Sequence, residues 1–116
     1  MTATRAADLD AALAALADPA RRALVERLRK GPARAGELAR EFSMSAPRMS
    51  QHLRALRHGG LVEESGVEGD ARVRLYQLRA ERFTILRGWA QGIESFWTGE
   101  LAAFQRYAER RTRGRR

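Results

Sequence analysis

Apolar residues recur at helical spacing through most of the chain. Leu9, Leu13 and Leu16 line one side of an alanine-rich stretch and predict a short amphipathic helix over residues 8–16. Asp18 is placed to cap a second helix, and Pro19 takes its first position, where the missing N–H costs nothing. That helix is expected over 19–30, burying Ala23, Leu24 and Leu28 and stopping at Gly31-Pro32. Ala35, Leu38, Ala39 and Phe42 then repeat at i, i+3, i+4, i+7, which makes a short helix with one buried face. Ser43-Met44-Ser45 breaks the pattern, and Ser45 can cap a further helix over 46–58, with Pro47 in its first turn and Gly59-Gly60 at its end. Two short helices joined by a short polar turn form the helix-turn-helix layout.

After Gly60 the pattern becomes extended. Leu61-Val62 opens one run and Val73, Leu75, Tyr76 and Leu78 mark another, predicting a β-hairpin over 61–78 whose charged tip is Gly66 to Ala71. From about Glu81 to Arg110 a long helix is expected. Leu86, Trp89, Ile93, Phe96, Trp97, Leu101, Phe104 and Ala108 form its stripe, and Gly88, Gly92 and Gly99 weaken it by ~1 kcal/mol each. Residues 110–116 carry five arginines and no apolar side chain, so they are expected to be a disordered basic tail beyond a single domain at 1–109.

The chain has 116 residues, enough for one modest core. Its net charge of +8 points to polyanionic partners, but Lys30 is its only lysine and removing the five tail arginines leaves +3, so much of the excess lies outside the fold. There is no cysteine, which excludes disulfides, thiolate metal sites and Cys nucleophiles together. The first residues lack the basic start and apolar core of a signal peptide, and no apolar run approaches the ~20 residues needed to span a bilayer. A cytoplasmic protein without membrane association is the expectation.

With Met49 at the centre of the buried face of the 46–58 helix, Leu53 and Leu56 lie beside it. Pro47, Gln51, Arg54 and His58 then point outward, with Arg48 and Ser50 on the flanks. Arginine pairs bidentately with guanine and glutamine with adenine in the major groove, so this face suits a recognition helix; an ordinary solvated polar face is the alternative. In the hairpin, Arg72 and Arg74 are placed for phosphate or minor-groove contact, while Glu68 and Asp70 at the tip oppose close approach.

Several segments, in order and spacing, resemble the ArsR family of winged-helix repressors over residues 9–107. They are Leu16-Ala17-Asp18-Pro19 through Arg21-Arg22 and Leu28, then Gly36-Glu37-Leu38-Ala39, Ser50-Gln51-His52-Leu53 with Leu56, Gly60-Leu61-Val62, and Arg74-Leu75-Tyr76-Gln77-Leu78. The resemblance implies a mostly α winged helix-turn-helix with a small β-hairpin, dimerising through its first and last helices. It also departs from the family. The metal-sensing members' cysteines are absent, neither histidine lies on the last helix, and His52 and His58 do not share a helix face, so neither metal nor cofactor is expected. Arg34 stands where a capping Ser or Thr would be expected.

The expected function is a sequence-specific DNA-binding regulator, a repressor, acting as a homodimer on a palindromic site in double-stranded DNA. Ser45, Pro47, Arg48, Ser50, Gln51, His52, Arg54, Arg72 and Arg74 form its DNA-facing set. Leu9, Leu13, Leu16, Trp89, Ile93, Phe96, Trp97, Leu101 and Phe104 form its dimer interface, with an apolar ligand pocket as the alternative use of the aromatic stripe and an unknown small-molecule effector as an open partner. The rival reading is a non-specific architectural or RNA-binding winged-helix module. Catalysis is not expected, because Ser50 and His52 lie about 200° apart around a helix and cannot form a nucleophile–base pair.

Overall fold

A computed structural model describes residues 2–114, without the side chains of residues 2–4 and 71. The order is α1 (Thr2–Ala15), α2 (Pro19–Leu28), α3 (Ala35–Glu41), α4 (Ala46–His58), β1 (Val62–Val67), β2 (Asp70–Leu78) and α5 (Ala80–Gly114). The chain divides into two units, one ending at Leu86, which includes the start of α5, and one from Arg87 onward whose described residues all belong to α5.

The first unit is built around side chains from α1 to α4 and the start of the hairpin. Leu24, Val25 and Leu28 of α2, Leu38 and Ala39 of α3, and Met49, Leu53 and Leu56 of α4 are buried together with Leu61 and Val62. Ala35 of α3 and Phe42 at its C-terminal cap pack against this core as half-buried neighbours. The face of α2 is turned from the expected one: Val25 is buried and Ala23 is exposed, because Leu24, Leu28 and Val25 centre the apolar arc away from residue 23.

α1 begins at Thr2, earlier than its apolar pattern, and it faces the core through Ala12 and Ala15 and not through its leucines. Small residues are needed there because α4 ends against it: a Cβ on Gly59 would lie 2.6 Å from Ala15 Cβ and 3.0 Å from the Ala11 carbonyl oxygen. Leu13 is left exposed and Leu9 half-buried, whereas Leu16, expected at the dimer interface, packs against the core of its own chain. The C-terminus of α1 is satisfied by α2. Arg21 donates to the Ala15 and Ala14 carbonyls at 2.6 and 3.3 Å, and Arg22 donates to that of Leu16 at 2.8 Å.

β1 and β2 form an antiparallel hairpin with a register shift between Gly66 and Val67. Its tip is tighter than the expected 66–71 loop, since β1 runs to Val67 and β2 starts at Asp70, leaving Glu68 and Gly69, the latter at φ +86°. The linker between α2 and α3 adds one more rung: Ala33 and Tyr76 exchange N–H···O bonds of 3.1 and 2.8 Å.

α5 runs uninterrupted through Gly88, Gly92 and Gly99. It also continues past Arg110, so residues 110–114 are helical and not a disordered tail. The last turns carry their own support, with Arg111 donating to the Tyr107 hydroxyl at 3.2 Å, Thr112 to the Ala108 carbonyl at 3.0 Å, and Arg113 3.8 Å from Glu109. Arg115 and Arg116 lie outside the described residues.

Candidate nucleic-acid interface

α4 is set by its two ends and one apolar face. Ser45 caps it, its hydroxyl accepting from the Arg48 N–H at 3.3 Å, and Pro47 sits in the first turn where no N–H is needed. Met49, Leu53 and Leu56 are fully buried, which fixes the rotation of the helix about its axis. Ser45, Pro47, Arg48, Ser50, Gln51, Arg54 and His58 are all exposed on the other side. His52 differs from the expectation. Positions 49, 52, 53 and 56 share one helix face, so His52 is enclosed at 9% exposure, near Asp18, with its Nδ1 unpartnered, and it leaves the DNA-facing set.

The turn before α4 holds the two helices together. Ser43 adopts φ +52°, and the Met44 N–H returns to the Ala39 carbonyl at 2.9 Å. α3 has no side-chain cap at Arg34. It is tied instead to α2 through Arg27 and Glu41, whose atoms meet at 2.7 and 3.3 Å in a two-pronged pair. The hydrogen bond from Arg27 holds the Glu41 carboxyl below its ordinary range and raises the guanidinium in turn. At the start of α2, burial works to raise the Asp18 pKa. The N–H groups of Arg21 and Ala20, with the charges of His52 and Arg21, outweigh that and hold it low.

Charge separates the arginines into two kinds. Arg21, Arg27, Arg29, Arg57, Arg74, Arg79 and Arg82 each lie within 4.0 Å of a carboxylate. Among the described residues, Arg48, Arg54 and Arg72 have no such partner, and α4 itself contains no acidic residue. The outward face of α4 therefore carries two uncompensated guanidinium groups beside Ser50 and Gln51, on a helix held rigidly from behind. That combination can donate to phosphates and base edges. Arg74 is less available than its exposure suggests, because its Nε lies 3.6 Å from Glu64.

Sequence reasoning missed the tie between α4 and the hairpin. Arg57 in the last turn of α4 reaches Glu64 of β1 at 2.9 Å. It also missed Arg82, which bonds Asp8 at 2.9 Å and the Gly59 carbonyl at 3.0 Å and so joins α1, α4 and the start of α5. The only local signal for Arg82 was Gly60, whose φ of +74° and absent Cβ leave room for that guanidinium.

Two short packed helices, the second with an uncompensated polar face, followed by an antiparallel hairpin, define a winged helix-turn-helix, a DNA-binding class. Residues 16–65 match a family described as a helix-turn-helix domain. The chain is 43% identical over 95 residues to the HTH-type transcriptional regulator Rv2034 of Mycobacterium tuberculosis, covering 82% of this chain and 83% of that one. It is similar to the crystal structure of an ArsR family transcriptional regulator, at 34% identity and TM-score 0.69 over 78% of this chain and 91% of the other. An ArsR-like transcriptional regulator from Rhodococcus sp. RHA1 aligns at 28% identity and TM-score 0.75 over 88% and 93% of the two chains. The protein belongs to the ArsR family of winged helix-turn-helix transcriptional regulators. Among the described residues, no helix is long and apolar enough to cross a membrane.

Proposed function

We propose that the protein is a sequence-specific repressor that binds a palindromic operator as a homodimer, with α4 in the major groove and the hairpin over the neighbouring backbone. The observation that carries this reading is the exposed, acid-free face of α4, where Arg48 and Arg54 have no carboxylate partner among the described residues while Arg27, Arg57 and Arg82 are each paired. Arg48 and Gln51, three positions apart near the N-terminal end, read bases; Ser45, Pro47 and Ser50 seat that end against the strand. Arg54, a turn further on, and Arg72 on the hairpin bind phosphates. Dimerisation uses the exposed stripe of α5, together with Leu9 and Leu13 of α1. Such a regulator works in the cytoplasm, where its operator is.

The test is a gel-shift series on a genomic fragment retained by the protein and on its single-base variants. Arg48→Ala and Gln51→Ala should each cost ~1–3 kcal/mol on that fragment and flatten discrimination at one base pair per half-site, with little change on random DNA. Arg54→Ala should weaken binding to every sequence alike. If Arg48→Ala and Gln51→Ala keep wild-type discrimination, α4 does not read bases. If wild type itself prefers no sequence at matched salt, the protein is a non-specific architectural binder.

A further inference from the structure

Glu64 gathers charged groups from two separate parts of the DNA-binding face. Its Oε2 lies 2.9 Å from Arg57 Nη1 on α4, and its Oε1 lies 3.6 Å from Arg74 Nε on β2. Across the hairpin it pairs in register with Tyr76, whose backbone is bonded to Ala33. Burial, and then the Glu64 charge, push the Tyr76 hydroxyl above its ordinary range, so it stays protonated next to the carboxylate. The carboxylate side chain is 21% exposed, whereas those of Arg57 and Arg74 are 50% and 59% exposed. The acid is thus held inside, and the two guanidinium groups face outward over it.

We propose that Glu64 is a positioning residue that sets the hairpin against α4 and withholds Arg57 and Arg74 from indiscriminate phosphate binding, so that it raises the preference for operator over random DNA. The proposal rests on the reading that α4 and the hairpin face DNA. One carboxylate shared by two arginines leaves a local charge of about +1 where an uncharged side chain would leave about +2. A random duplex offers phosphates and nothing else, so its affinity responds in full to that difference. Operator binding depends also on base contacts made by α4, which Glu64 does not touch.

Glu64→Gln keeps the size and the hydrogen-bonding oxygen but removes the charge. In the full chain, fluorescence anisotropy on a random-sequence duplex over a salt series should show tighter binding, by about threefold for the one phosphate contact added, and a log–log salt slope steeper by about 0.9. Preference for the genomic fragment over random DNA should fall, by at most the same factor because that fragment's phosphates also gain from the freed guanidinium groups, and equal tightening on both duplexes overturns the effect on preference. An unchanged slope overturns the proposal, as does equal weakening on both duplexes, which would mark a merely structural role. Should that variant fail to fold, the double variant Arg57→Gln, Arg74→Gln probes the tie from its other side. With Glu64 in place the two arginines contribute about one net contact, so the slope on random DNA should be shallower by about 0.9, and a slope shallower by about 1.8, the loss of two free contacts, overturns the proposal. Arg48→Ala on the same duplexes separates the two readings. Loss of discrimination there with a wild-type slope in Glu64→Gln sinks only the role of Glu64, while retained discrimination sinks base reading by α4.

Discussion

Replacing Trp97 with Glu should take the proposed dimer apart. At 3.6 residues per turn, Trp89, Ile93, Phe96, Trp97, Leu101 and Phe104 occupy about 140° of the α5 surface. Each is between 47% and 70% exposed, and Phe96 and Trp97 meet edge-on with ring centroids 5.9 Å apart. At about 100 Å² of exposed area per side chain the stripe amounts to roughly 600 Å², the upper end of what monomers leave uncovered. Two copies give about 1,200 Å², the lower edge of a stable interface before α1 adds to it. Trp97 accounts for about 150 Å² of this, or ~3–4 kcal/mol per copy at 25 cal/mol per Å². A two-fold interface loses that contribution twice and must also desolvate two carboxylates. Since buried area converts to affinity incompletely, a loss of at least ~4 kcal/mol, or about a thousandfold in Kd, is the conservative expectation. Sedimentation velocity over a concentration series would measure it, with Trp97→Phe as the variant that should remain dimeric. If the Trp97→Glu variant dimerises with the wild-type Kd, the assignment of the stripe to the interface is refuted.

Two further predictions concern the first unit. Gly60→Ala places a methyl 2.7 Å from Arg82 Cγ and Cζ on a backbone at φ +74°, so it should cost ~2–3 kcal/mol and lower the Tm by about 10 °C. In an Arg82→Ala background only the backbone strain of ~1 kcal/mol should remain, and strictly additive thermal shifts would show that the two residues do not interact. The Asp18 and Glu41 carboxyls are both held low, so the stabilisation they supply is complete above about pH 4.5 and is lost as pH falls through their depressed folded values. The double variant Asp18→Asn, Glu41→Gln should flatten that acid limb in urea midpoints taken from about pH 2 to 6, and an unaltered limb would count against it.

The order and kind of the elements were legible along the chain, because most of what starts, turns and stops them is local. Asp18 and Ser45 cap α2 and α4 through N–H groups two or three residues away, and Gly31 and Gly69 supply positive φ where the chain reverses. The face of α4 was legible for the same reason, since Met49, Leu53 and Leu56 leave only one side for Arg48, Gln51 and Arg54. Tertiary structure alone decided which charges remain free. Arg27 meets Glu41 across 14 positions and Arg82 meets Asp8 across 74, distances over which spacing carries no information about contact. Composition counts Arg57, Arg74 and Arg48 as equal, yet packing of the hairpin on α4 ties the first two to Glu64 and leaves the third open. The same holds for His52 and for α1. Helical spacing placed His52 only at the edge of the buried face, where it could pack or meet a phosphate, and the family resemblance placed Leu16 with the first helix at an interface. The close approach of α1 to Gly59 and the rotation imposed on α4 by its buried leucines settled both, because burial belongs to what surrounds a residue and not to the residue.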